Sequence, residues 1–237
     1  MAVTIAGHDV AGDAERVCDV VEQGGVAIIH LDVGYAVLAH TRAAVERIYA
    51  AKRRDYGKAT GIVGNHALHE EVHLLGERAR RIIRSITRDH DLPLGVIAPY
   101  RADHPLLRAL DPFVLGNAVK DGTLNILLNA GELRTRIADL ALSRGRIFVG
   151  SSANVSGRGI HYRLEDVEPE LRAIAEVEID YGASAYRNPA HLSSTMIDFT
   201  TFRVQRAGAC YDRIAAVFEE EFGIVLQHPQ PSRKASA

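Results

Sequence analysis

Apolar positions in this chain recur with two alternating periods. Between Ala14 and Gln23, Val17, Val20 and Val21 return at helical spacing and the segment stops at Gly24-Gly25, the pattern of an amphipathic helix ended by glycine. Val26–Leu31 then reads as a buried strand. Arg42–Arg53 is helical again, with Val45, Ile48 and Tyr49 on one face, and Thr60–Val63 reads as a short strand. Helical stretches over Ala67–Leu75 and Glu77–Arg88 precede the run Leu94–Ala98, which has prolines on both sides. Strand patterns at Leu124–Leu128 and Ile147–Val149 flank a helix near Leu133–Leu142. Beyond Gly159 come a charged helix over Leu164–Ala175, strands at Val177–Asp180, Thr195–Phe199 and Phe202–Gln205, the last two spaced as a hairpin, and a closing helix Tyr211–Phe222. The alternation predicts an α/β layered domain with helices packed on a largely open sheet.

Composition narrows the class without changing that picture. The chain has 237 residues with no internal repeat and no clear linker, so a single domain over 1–226 is expected, with the Pro-, Ser- and Gln-rich segment 227–237 a disordered tail. An apolar fraction of 47% and a charged fraction of 24% exclude a fibrous or wholly disordered chain. A formal net charge of -2 gives no bulk nucleic-acid or membrane signature, so any such contact needs a local patch. The two cysteines, Cys18 and Cys210, lack metal-ligand spacing and read as packing thiols of a reducing compartment. With no signal-peptide pattern and no apolar run near the roughly 18–20 residues of a membrane span, a cytoplasmic location is expected.

Three constellations carry candidate chemistry. The strand Arg146–Val149 runs into Gly150-Ser151-Ser152-Ala153-Asn154-Val155-Ser156-Gly157, where small residues let backbone N–H groups approach an anion and Ser and Asn side chains add donors. An ordinary surface turn fits the same composition. Lys52-Arg53-Arg54-Asp55-Tyr56-Gly57-Lys58 closes a helix: guanidinium binds phosphate or carboxylate as a fork, lysine as a point charge, and a solvated basic helix end is the alternative. Ser193-Ser194-Thr195-Met196-Ile197-Asp198, followed by Arg206-Ala207-Gly208, brings hydroxyls and an arginine together if the two strands form a hairpin.

The turn Ser151–Gly157, the Lys52-x-Arg54 motif, Ser194-Thr195 with Asp198, and Arg206-x-Gly208 stand in the order and spacing of the YrdC-like family, whose well-known members are the threonylcarbamoyl-AMP synthases. The resemblance covers about residues 14–210. It implies a twisted open mixed sheet with helices packed on it and a large concave, positively charged cavity. The implied reaction joins threonine, bicarbonate and ATP into threonylcarbamoyl-adenylate and pyrophosphate, for later transfer to adenosine in tRNA, with Mg²⁺ on the triphosphate. By the same resemblance Lys52 and Arg54 are the catalytic cations, with Lys58 a weaker third. Ser152, Asn154, Ser156, Ser194 and Arg206 take the nucleotide, and Asp32 and Tyr35 belong to the substrate side.

Three departures fall on the acceptor half. The family's Pro-Thr-Asp-Thr-x-Tyr-Gly stands here as His30-Leu31-Asp32-Val33-Gly34-Tyr35-Ala36, its Pro-Gly-Pro-x-Thr as Asp91-Leu92-Pro93-Leu94-Gly95, and its Arg-x-Pro as Leu127-Leu128-Asn129. Leu31 and Val33 supply no hydroxyl, and sites that recognise by hydrogen bonding discriminate strongly, so an acceptor other than threonine stays open. So does a carbamoyl-adenylate made from carbamoyl phosphate, as in larger carbamoyl-transferring enzymes that contain this domain.

Two competing signals remain. His69-Glu70-Glu71-Val72-His73 matches the zinc-peptidase pattern, but it lies on a short helix with no third ligand nearby in sequence, and no metal is expected there. Arg81, Arg84 and Arg88 form a stripe opposite Ile82, Ile83 and Ile86; it reads as the solvated face of an amphipathic helix, or as a track for double-stranded RNA or tRNA in a non-catalytic module.

Overall fold

In a computed structural model, which describes residues 3–228, the short apolar runs become strands of one mixed sheet. In chain order these are β1 (Val3–Ala6), β2 (Ala27–Ile29), β3 (Ala36–Ala39), β4 (Gly61–Val63), β5 (Leu94–Pro99), β6 (Val119–Lys120), β7 (Thr123–Leu128), β8 (Phe148–Ser152), β9 (Val177–Asp180), β10 (Met196–Asp198) and β11 (Arg203–Arg206). Across the sheet they run β1-β9-β2-β3-β8-β4-β7-β5-β10-β11, with β6 hairpinned onto β7. β1, β9 and β2 are parallel; β2, β3, β8 and β4 alternate in direction; β4–β7 and β5–β10 are parallel pairs; β7–β5 and β10–β11 are antiparallel.

The helices are α1 (Val10–Glu22), α2 (Arg42–Ala51), α3 (His66–Val72), α4 (Glu77–Arg84), α5 (Pro105–Arg108), α6 (Pro112–Ala118), α7 (Glu132–Ser143), α8 (Pro169–Arg172) and α9 (Tyr211–Phe222). Because strand side chains alternate, Ile28, Val37, Ile62 and Val149 enter one core while Ala27, Ile29, Leu38 and Phe148 enter the other. The helices divide unevenly between these faces. On one face α1 packs Val17, Cys18 and Val21 against Ile137, Ala138 and Ala141 of α7, and the remaining seven described helices lie on the opposite face. Beyond α1 and α7 that first face is left open over β8, β4, β7 and β10, and the concavity of the molecule lies there.

Several expectations are corrected. Leu164–Ala175 is not one helix but a 3-10 turn at Leu164–Asp166 followed by the four-residue α8; Pro169 has no N–H to continue a helix, and Glu168 before it is extended. The helix expected from Ala14 begins at Val10, where the Asp9 carboxylate caps Gly12 N–H at 3.1 Å. Helix α3 stops at Val72, and the run to Arg88 ends in a π-helical turn, Ser85–Asp89. The strands β1, β3 and β6 and the helices α5 and α6 were not read from the sequence. β3 is the fully buried Ala-Val-Leu-Ala, too short and alanine-rich to show a period. Of the tail 227–237, Gln227 and His228 are described, with the His228 ring 4.4 Å from Tyr211; residues 229–237 lie outside the described residues. No described helix is long and apolar enough to cross a membrane.

The His69 and His73 imidazoles are buried and bonded to each other, Nδ1 to Nδ1 at 2.7 Å, so one ring donates and the other, which accepts, must be neutral. No group of three or more His, Cys, Asp or Glu suited to a metal occurs among the described residues. Burial holds both pKa values well below the ordinary 6.5. The unfolded chain therefore takes up protons below about pH 6.5 that the folded chain refuses, and stability must fall as pH drops. Urea unfolding between pH 7 and pH 5 is expected to show that loss, with a flatter slope in the His69→Leu/His73→Leu double variant; equal slopes would remove this pair as the cause.

Candidate functional site

β8 lies between β3 and β4, and the chain leaves it through Ser152-Ala153-Asn154-Val155-Ser156-Gly157. Gly150 lets the strand pass under its neighbour, since a Cβ there would press on Leu38 and on the Val37 carbonyl. The turn is held from below by Lys52, which ends α2 fully buried. Its ammonium donates to the Ser152 carbonyl and, at 2.6 Å, to that of Asn154, and its own carbonyl accepts from Ser156 N–H at 3.0 Å. Burial, reinforced by Arg54 and opposed by Glu168, pulls the Lys52 pKa down to about 7.

The backbone donors of residues 153–156 are spent inside the protein. Ala153 N–H bonds Tyr35 O at 2.8 Å, Asn154 N–H bonds Ser152 O at 3.0 Å, and Val155 N–H bonds the Glu168 carboxylate at 3.2 Å. The expectation that these N–H groups surround an anion is therefore corrected for residues 153–156. Ser151 Oγ, Asn154 Oδ1 and Ser156 Oγ are buried with no protein partner, but of these three residues only Ser151 lines the cavity; Asn154, whose Nδ2 donates to Val155 O at 2.9 Å, and Ser156 do not.

Three arginines line the cavity beside the turn. Arg54 follows a left-handed Arg53 (φ 48°) and lies with its Cζ 5.7 Å from the Tyr49 ring, donating through Nε to Lys58 O (3.2 Å) and through Nη2 to Ala59 O (2.7 Å). Arg206 of β11 donates to Ser194, through Nε to the carbonyl (2.8 Å) and Nη2 to the hydroxyl (3.2 Å). Arg134, buried on α7, donates to Gly64 O (3.0 Å) and Ile62 O (3.3 Å) of the strand opposite. Desolvation pulls Arg134 and Arg206 down to about 10, which leaves both charged at neutral pH. Nη1 of Arg54 and of Arg206 has no protein acceptor among the described residues.

The cavity, open on one side, has a volume of about 170 Å³. Its wall also carries Ser151, Ser152, Ser193, Ser194 and Asn125, whose Oδ1 is orphaned, and among the described lining residues there is no Asp or Glu. Guanidinium groups held largely out of water with no carboxylate beside them, as Arg134 and Arg206 are, are costly, and a wall built this way favours an anion.

The remaining expected site residues lie elsewhere. Lys52 is under the turn and not in the cavity wall. The Lys58 side chain is exposed outside it, and only its carbonyl serves, for Arg54 and for the Tyr49 hydroxyl. Tyr35 borders the cavity, but its hydroxyl points away, to Asp180 (2.5 Å) and Gly182 O (2.8 Å). Asp32 is not among the lining residues; its backbone is tied to Ala130 and Tyr186, and burial raises its carboxyl pKa. Arg134 and Asn125 were missed. For Arg134 a signal existed: it sits one turn before Ile137 and Ala138, on the buried stripe of α7. Arg81, Arg84 and Arg88 line a separate surface depression with Glu221 and Phe222, and Arg84 is paired with Glu77 at 2.5 Å.

Residues 19–208 match the family model Sua5_yciO_yrdC, described as "Telomere recombination". No curated protein matches the sequence. Among solved structures, the hypothetical protein smu.1377c from Streptococcus mutans UA159 superposes with a TM-score of 0.74 at 18% identity, covering 95% of this chain and 97% of that one. A doubly substituted P. abyssi Sua5 gives 0.73 at 18%, and P. abyssi Sua5 complexed with L-threonine gives 0.71 at 17%, covering 97% and 96% of this chain. These likenesses show a shared fold, and the chain spans 62% of the length of those Sua5 chains.

Gly208 fixes the Ser194–Arg206 corner. A Cβ there would overlap the carbonyl oxygens of Ser193 and Ser194, while Gly208 N–H and Ala209 O are tied to Thr195 Oγ1 at 3.1 and 2.9 Å. Gly208→Ala is expected to cost about 1–3 kcal/mol in urea unfolding, the range for overpacking; unchanged stability would show that this corner is not tight.

Proposed function

We propose, since the chain belongs to the Sua5/YciO/YrdC family, that it is a nucleotidyltransferase of the L-threonylcarbamoyladenylate synthase type. It forms a carbamoyl-type adenylate from ATP, bicarbonate and an amino acid, for threonylcarbamoyladenosine modification of tRNA. The observation that carries this reading is the cavity wall with three guanidinium groups, orphaned hydroxyl and amide oxygens, and no carboxylate among its described residues.

The chemistry asks for such a wall. An amine adds to bicarbonate with loss of water to give a carbamate. A carbamate oxygen then bonds to the α-phosphorus of ATP as the bond to the β-phosphate oxygen breaks, and pyrophosphate departs. Every species in that sequence is anionic, and the transition state spreads charge over the phosphoryl oxygens, where preorganised cations act best in a low-dielectric site. Arg54 and Arg206 each keep one terminal nitrogen for this task while the other donors lock the guanidinium to backbone or Ser194. Arg134 adds positive potential from the α7 side. Lys52 acts from beneath, by fixing the carbonyls of Ser152 and Asn154 and so the placement of the Ser152, Asn154 and Ser156 side chains.

At about 170 Å³ the cavity is below the roughly 300–1,000 Å³ of whole small-molecule sites, so it holds the reacting ends, with the nucleoside toward the mouth. Mg²⁺ enters this reading as the counter-ion of the triphosphate, which it neutralises when bound. The wall supplies no described carboxylate for it, so phosphate oxygens, water and the hydroxyls of Ser151 and Ser152 are its fitting partners.

Pyrophosphate release with Mg-ATP, bicarbonate and an amino-acid panel tests the reading. Arg54→Ala and Arg206→Ala are each expected to lose about 100-fold or more in turnover, the scale of removing one preorganised donor, while Lys58→Ala stays within about two-fold because its side chain lies outside the cavity. Wild-type release from Arg54→Ala would sink the assignment.

A further inference from the structure

The turn after β8 is held by two buried charges of opposite sign, Lys52 from below and Glu168 at Val155. Glu168 stands immediately before α8, where Pro169 keeps it extended, and its carbonyl accepts from Leu171 and Arg172 N–H at 2.9 and 3.2 Å. Its carboxylate reaches the turn. Oε2 accepts from Val155 N–H at 3.2 Å and lies 3.1 Å from His161 Nε2, while Oε1 is buried with no protein partner. Glu168 is not among the residues lining the cavity, so its carboxylate adds no negative charge to the wall.

The same segment brings Glu168 to Lys52. Helix α8 packs on α2, with Leu171 in one core with Val45, Ile48 and Tyr49, and Arg53, next to Lys52, pairs with Glu170 at 3.4 Å. Two charges act on the buried Lys52 ammonium: Arg54, which drives its proton off, and Glu168, which holds it. With the Lys52 pKa already brought down to about 7 by burial, the clamp is near half-charged at neutral pH, and the neighbouring carboxylate helps decide how much of it carries a proton. The charged form matters because an ammonium donates charge-assisted bonds, roughly twice as strong as neutral ones, to the Ser152 and Asn154 carbonyls. Ser152 lines the cavity.

Resting on the adenylate-forming reading, we infer that Glu168 is a positioning residue for the reaction: its carboxylate ties the Ser152–Gly157 turn at Val155 and is the counter-charge of the Lys52 ammonium that clamps the turn. It touches no substrate and acts through the turn and Lys52. Its charge, and not only its capacity to accept a hydrogen bond, is what the site uses. Removing that charge leaves Lys52 facing Arg54 alone, so the ammonium gives up its proton at lower pH and the grip on Ser152 weakens as pH rises.

The chain has four lysines, Lys52, Lys58, Lys120 and Lys234, so the Cε resonance of Lys52 can be identified in ¹³C-lysine-labelled protein by its loss in Lys52→Met and titrated directly. Glu168→Gln keeps an oxygen for Val155 N–H and removes the charge. Its Lys52 midpoint is expected about 1 pH unit below wild type, the lower end of what a nearby opposite charge does. With Mg-ATP, bicarbonate and threonine, its shortfall in pyrophosphate release should then widen from about two-fold at pH 6 to about nine-fold at pH 8, the ratio of ammonium fractions when a midpoint of about 7 falls by one unit. Bicarbonate speciation is common to both proteins and cancels, and repeating the comparison with His161→Gln in both removes the imidazole beside Glu168 from the profile. Glu168→Asp, which keeps the charge but shortens the reach to Val155, should show the smaller shortfall; a residue serving only as hydrogen-bond acceptor would give the reverse order. An unmoved Lys52 midpoint, or a shortfall that does not widen with pH, would overturn the inference. A wild-type protein that releases no pyrophosphate would instead overturn the adenylate reading, and calorimetric affinity for a non-hydrolysable ATP analogue with Mg²⁺ over the same pH range then decides the inference by the same widening. Should Glu168→Gln not fold, recovery of folding on adding Lys52→Met supports the pairing of the two charges, and no recovery overturns it.

Discussion

A guanidinium taken out of water with no carboxylate beside it is expensive, and this fold directs two of them, Arg134 and Arg206, into one small cavity, with the part-exposed Arg54 beside them. Each is held by neutral acceptors: the carbonyls of Lys58 and Ala59, those of Ile62 and Gly64, and both oxygens of Ser194. Neutral acceptors fix direction without cancelling charge. The wall therefore stays positive and favours an anion over a neutral ligand.

The sheet makes this arrangement possible through the uneven distribution of its helices. Seven of the described helices cover one face and only α1 and α7 the other, so the inward residues of β8, β4, β7 and β10 meet space instead of a helix. Where α7 does reach the opening it delivers Arg134 and not another aliphatic residue. The buried ammonium of Lys52 then couples α2 to the turn after β8, because the carbonyls of Ser152 and Asn154 converge on it. The basic motif and the Ser-Asn turn, 100 residues apart in sequence, are thereby one structural unit.

Much of this was legible in the sequence. The alternation of periods predicted the layered α/β sheet, and the spacing of Thr195–Phe199 and Phe202–Gln205 predicted the hairpin that brings Arg206 to Ser194. The Gly/Ser turn was visible as an anion-type segment, but composition cannot say where backbone donors go, and those of residues 153–156 are consumed internally. Lys52 and Arg54 look alike in a basic motif, yet one is fully buried as a clamp and the other faces the cavity. Arg134 was hidden because an arginine within a helix reads as solvated surface unless its place on the buried stripe is checked. Tyr35 kept the family's residue type while its hydroxyl serves Asp180, which no motif records.

The central claim is that the cavity binds phosphate charge. It is tested most directly by the thermal unfolding midpoint of the wild-type protein as Mg-ATP or adenosine is added at matched concentration. Ligand that binds only the folded chain raises the midpoint by mass action. The account predicts a midpoint that climbs with ATP and does not move with adenosine; equal effects of the two, or no effect of ATP, would contradict it.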